Sequence, residues 1–185
     1  MPFDAREGYA AYTYATPAAA AGASKLHLDM FNATGSGVVV GIRGLWAIQK
    51  TDVAVTGAVA ARLDFYRTSA VGTGGTAWNW KSATPDVAGG NLVPFDSANG
   101  SSNPSQLTAR HLPTGGATIS HWVFPTYSFP EETNTAPYIT QYNNLLPELP
   151  HAQIFRLQEG EGFLIKQGSV ASVGSLSFLV AIVLI

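Results

Sequence analysis

The chain closes on ten residues, Leu176 to Ile185 (LSFLVAIVLI), that carry no charge. A helix needs roughly 20 apolar residues to cross a bilayer, so a run this short reads as a buried strand. Both of its faces are apolar, with Leu176, Phe178, Val180, Ile182 and Leu184 on one and Leu179, Ala181, Val183 and Ile185 on the other. A sandwich that stands alone wets one face of each sheet. The second face here needs a further layer: a long loop, the N-terminal segment, or another subunit. Burying such side chains is worth about 1.5 to 3 kcal/mol each, and leaving them flat and exposed invites aggregation. A formal net charge of -2 opposes association only weakly. The expectation is an obligate oligomer with Phe178, Val180, Ile182 and Leu184 at its contact, and the alternative is a cover supplied by the chain itself.

The rest of the chain shows the same period of two. Leu26, Leu28 and Met30 alternate with His27, Asp29 and Phe31. Gly37 to Gln49 (GVVVGIRGLWAIQ) is β-branched and apolar, with glycines that mark a bulge or bend. From Val59 to Arg67, Ala61, Leu63 and Phe65 share one face and Arg62, Asp64 and Tyr66 the other, the pattern of a half-buried strand. Gly72-Thr73-Gly74-Gly75 supplies the positive φ of a tight turn, which predicts a hairpin between that strand and Thr76 to Lys81. Lys81 to Asn103 and Phe129 to Pro150 read as long surface excursions. Asn103 before Pro104 fits an N-cap with proline at the first helical position, predicting a short helix over Pro104 to His111, with a strand as the alternative. Ala117 to Tyr127, Gln153 to Leu157, Gly162 to Gln167 and Ser175 to Ile185 complete the strands. About eight strands at this spacing specify an all-β fold, an antiparallel β-sandwich or jelly roll. The repeated helical stretches that parallel α/β crossovers need do not occur.

Residues 1–24 stand apart as an extended N-terminal arm, and 25–185 read as the sandwich domain. Tyr9, Tyr12 and Tyr14 sit among alanines with no core period. Aromatic side chains in such a segment imply docking onto this domain or a neighbouring subunit, against the alternative of a frayed terminus.

Catalytic chemistry is sparse. Charged residues make up 12% of the chain, against about 25% in ordinary soluble domains, and the 10 Lys and Arg are scattered, which gives no footprint for nucleic acid. With no cysteine there is no disulfide and no thiolate ligand or nucleophile. Met1 to Glu7 mixes charges where a secretory signal has a basic region followed by an apolar one, so export is not expected, and with the most apolar run only ten residues long no membrane partner is expected either. His27 with Asp29, and His111 with His121, are candidate ligand pairs, but each lacks a third partner. The pairs Glu131-Glu132 and Glu159-Glu161 lie in loops and read as groups that solvate turns. Asn32-Ala33-Thr34 and Asn99-Gly100-Ser101 read as turn chemistry. No catalytic residue, metal or cofactor is assigned. Trp78 and Trp80, two apart on one strand face, form a candidate platform for a sugar ring, with core packing as the alternative.

Five phrases in order along the chain carry a resemblance: Arg67-Thr68-Ser69-Ala70-Val71-Gly72-Thr73-Gly74-Gly75-Thr76, Pro94-Phe95-Asp96, Thr108-Ala109-Arg110, Thr114-Gly115-Gly116-Ala117-Thr118, and Glu159-Gly160-Glu161-Gly162 before an apolar strand. Over roughly residues 37 to 185 the chain resembles small structural proteins of tailed bacteriophages. The resemblance implies a jelly-roll virion protein: a capsid decoration or cement protein, trimeric, assembled in the host cytoplasm and seated on the capsid exterior. Its implied partners are its own copies and the major capsid protein. The final strand carries fewer polar residues than that family pattern, and the Tyr/Ala arm lies outside it. A competing reading is a tail or head-fibre module that binds a host-surface glycan through Trp78, Trp80 and the two long loops.

Overall fold

The computed structural model describes residues 11–49, 61–77, 93–94, 107–115, 117–128, 142–144, 155–171 and 174–185. Among these there is no helix, and the strands form two antiparallel sheets. In the first, β10 (Tyr142–Asn144), β4 (Val40–Gln49), β13 (Ser175–Leu184), β1 (Ala11–Ala15) and β7 (Val93–Pro94) lie in that order. β11 (Phe155–Leu157) also pairs with β4, and β2 (Ala19–Ala20) with β13. The second runs β6 (Thr76–Ala77), β8 (Leu107–His111), β3 (Leu26–Asn32), β12 (Gly162–Gln167), β5 (Ala61–Thr68), β9 (Ile119–Ser128). Eight of these strands are five residues or longer, in keeping with the alternation read from the sequence.

One hydrophobic core fills the space between the sheets. Leu28, Met30, Phe65 and Phe163 enter it from the second sheet, and Val40, Leu45, Phe178, Val180 and Ile182 from the first. The face of β13 assigned to an oligomer contact is therefore interior: Phe178, Val180 and Ile182 are at most 2% exposed, and Leu184 packs on the core edge. Alternation had identified that face as apolar, but the partner it meets is the chain's own second sheet.

The opposite face of β13 is partly covered within the single chain: Ala181 and Val183 are buried, Leu179 is half-buried and Ile185 is exposed. Part of the cover comes from β4. Gly44 lies opposite Ala181, and a Cβ built on Gly44 would stand 2.0 Å from the Trp46 ring. Because the glycine has no side chain, the indole can lie over it on the outer side of the sheet.

Three further expectations change. The segment read as an arm contributes strands to its own domain: β1 pairs along β13, with Tyr12 opposite Ile182 and Tyr14 opposite Val180, and β2 pairs with Ser175 and Leu176. Leu107–His111, expected to be helical, is strand β8, with Leu107, Ala109 and His111 buried in alternation. A period of two that fills a core overrides a local capping signal. Finally, β5 and β6 do not form a hairpin. β5 pairs with β12 and β9, while β6 pairs with His111 and Arg110 of β8.

Candidate functional site

Three groups of buried polar residues lie along β3, the first at one end of the sandwich. There the register between β3 and β12 slips: Ile165 pairs with Leu28 but Lys166 with Leu26, leaving His27 as the extra residue of a β-bulge. The slip turns the His27 ring against Phe178, with centroids 5.5 Å apart. Its Nε2 lies 3.3 Å from Gln167 Oε1, which also accepts the Gly22 N–H at 2.8 Å, so Nε2 is the protonated nitrogen of the pair. His27 Nδ1 and His111 Nε2 are buried with no hydrogen-bond partner among the described residues. Burial lowers His27 to about 4; the Gln167 bond opposes that shift, while the charges of Lys25 and His111 add to it. Burial, and then Lys25, lowers His111 as well. Both rings are held neutral.

The second group sits on the outer side of the same strand. Asp29 Oδ2 accepts the Gly72 N–H at 2.6 Å, and a Cβ on Gly72 would meet that oxygen at 2.8 Å, so the turn must carry glycine there to close over the carboxylate. Thr73 then bridges to Gly115 by N–H to carbonyl at 2.6 Å. Burial raises the Asp29 carboxyl, against the pull of the Gly72 bond and of Arg110.

At the far end of β3 the two glutamates of the Glu159-Gly160-Glu161 turn act as clamps. Glu159 accepts the N–H groups of Gly35 and Gly37 at 3.0 and 2.7 Å. Glu161 accepts from Gln158 N and from Arg67 Nη1, each at 2.8 Å, and the Arg67 guanidinium in turn lies 4.3 Å from the Phe155 ring centroid. Buried Asn32 donates to Val38 and Leu157 carbonyls at 2.8 and 3.2 Å, fixing the same corner. These carboxylates hold backbone amides, a structural task.

The candidate ligand pairs of the sequence do not assemble. His27 and Asp29, two apart, lie on opposite sides of the sheet because of the bulge. His111 on β8 and His121 on β9 are separated by β3, β12 and β5, about 19 Å at the usual strand spacing. Among the described residues no group of three or more His, Asp or Glu is placed to hold a metal ion. Tyr9, Trp78 and Trp80 lie outside the described residues. The sequence did not flag Gln167 as the hub that joins His27 to the N-terminal segment, since a lone glutamine at a strand end carries no pattern. The chain matches no family model, no curated protein and no solved structure.

Proposed function

We propose that the chain is a structural protein of a tailed-phage virion, a capsid decoration or cement protein of jelly-roll type that acts as a trimer and bridges neighbouring capsid subunits. The observation that supports this reading is the use made of the phrases behind the resemblance. Gly72-Thr73 and Thr114-Gly115 meet as one clasp over Asp29, and Glu159-Gly160-Glu161 ties the 33–37 turn to β12. They are scaffold joints, residues a family would share for its fold rather than for a reaction. A protein that stabilises a shell by added contact area needs no catalytic centre.

Because β1 and β2 belong to the sheet, bridging falls to residues 1–10, which include Tyr9, and the trimer contact falls outside the β13 core face. Deleting residues 1–10 is expected to leave the thermal midpoint within a few degrees of the intact protein and to reduce occupancy on capsid shells by tenfold or more in co-sedimentation. Normal occupancy by the shortened protein would overturn the bridging role. Deleting residues 1–24 is a different experiment, since it strips β1 and β2 from β13.

A further inference from the structure

The N-terminal segment 11–25 is fixed to the sandwich by a short series of bonds, two of which end on Gln167 and Phe178, the residues that contact the buried His27 ring. Thr16 N–H donates to the Phe178 carbonyl and Phe178 N–H to Thr16 Oγ1, each at 2.8 Å. Ala21 N–H reaches Gly174 O at 2.9 Å and Ser24 N–H reaches Gly168 O at 2.8 Å. Gly22 N–H donates to the same Gln167 oxygen that faces His27. Phe178, which holds Thr16, is the ring against which His27 rests. Lys25 Nζ donates to the Ala20 carbonyl, which holds an ammonium beside both histidines.

We propose that segment 11–25 is an acid-released strap: protonation of His27 and His111 detaches it, together with the β7 strand that pairs with β1, from β13 and from Gln167, while β4 stays paired with β13 and the second sheet stays whole. Among the described residues the charged surroundings offer no compensating anion, and the elements paired with His111, β3 at Leu28 and β6 at Thr76, present uncharged residues. Lys25, preceding β3, and the opposite histidine are the groups whose charge acts on His27, and Lys25 acts on His111; both are cationic in acid. From β12 the facing group is neutral Gln167, from β13 it is Phe178, and from β5 it is Leu63, which lies opposite Gln167. The carboxylates nearby are engaged elsewhere, Asp29 by Gly72 and Asp64 by Arg62, with Lys166 opposite Asp64 in register. A proton added to His27 Nδ1 finds no acceptor among the described residues, so water must enter. The strap is held to β13 by fewer pairs than β4 is: five positions from β1 and two from β2, against nine between β4 and β13, and β1 carries β7 on its other side over two positions.

The sign follows from neutral burial. A histidine at about 4 when covered and 6.5 when exposed binds more protons in the open state, so opening is favoured as pH falls from about 6.5 and the effect saturates below about 4. For His27 alone, a shift from pH 7.5 to 5.0 raises the opening constant about 30-fold, and the lowered His111 adds to it.

Hydrogen exchange read by mass spectrometry at pH 7.5 and 5.0, expressed as protection relative to the intrinsic rate at each pH, tests this on the full chain. The expected result is a loss of protection of at least tenfold in peptides from residues 11–25, with peptides from β4 and β12 unchanged. In His27→Gln and His111→Gln, each carrying a neutral amide, the strap's loss of protection shrinks. Unchanged strap protection in the wild-type protein would overturn the proposal, as would equal loss in β4 and β12, which would mean plain acid unfolding. An undiminished loss in both variants would also overturn it. The wild-type comparison of strap against sheets stands even if a variant fails to fold.

Discussion

Val180→Asp is expected to prevent the chain from folding. Val180 is 1% exposed, lies in the core between the sheets and stands in β13, which pairs along β4 on one side and β1 on the other. The substitution removes about 1.5 to 3 kcal/mol of apolar burial and places a carboxyl in the hydrophobic core between the sheets, a further cost of several kcal/mol whether it stays charged or takes up a proton. The sum approaches the whole stability of an ordinary domain, about 5 to 15 kcal/mol. Circular dichroism should show no cooperative melt. A folded protein whose only change is a lower solution mass would mean that this face meets another subunit and not the second sheet.

Gly75→Ala is expected to cost about 3 kcal/mol, by two separable routes. Gly75 has φ +64°, a conformation that costs an L-residue about 1 to 2 kcal/mol. The added Cβ would also stand 2.3 Å from the Leu112 carbonyl oxygen and 2.5 Å from that of His111, backbone atoms fixed by the end of β8 and by the Leu112 N–H bond to the His27 carbonyl. Strain and overpacking together correspond to a fall in thermal midpoint of roughly 6 to 12 °C for a chain of this size. Gly115→Ala separates the causes: it has no positive φ and nothing within 4 Å of the new Cβ, so its midpoint should stay within about 2 °C. Equal effects at the two positions would contradict the tight approach of the 72–75 turn to β8.

Strand content was legible because alternation survives wherever one face is buried. Leu107–His111 carries it cleanly beneath a helix-start signal, whereas Leu26–Asn32 and Gly162–Gln167, central in their sheet, are buried at nearly every position. What lies against a face was not legible. The β13 pattern required two covered sides, and of the apolar residues on the second only Ala181 and Val183 are buried; pairing partners depend on contacts across the whole chain, and the Trp46 ring folded over Gly44 leaves no periodic trace. The bulge at His27 is invisible for a related reason. One extra residue reverses the inward and outward assignment locally, so a histidine and an aspartate that seemed to share a face were sent to opposite sides. The Glu159–Glu161 pair was read as turn chemistry, and the amides it clamps make that role concrete. The arm was misjudged because alanine and tyrosine in residues 11–15 have no period, while the edge of β13 supplied a ladder for them.

The measurement that bears most directly on the virion role is co-sedimentation of the intact protein with empty capsid shells, alongside its mass in solution by light scattering. The account predicts a trimer that saturates the shells at a fixed ratio to the major capsid protein. A protein that stays in the supernatant at every ratio would contradict it.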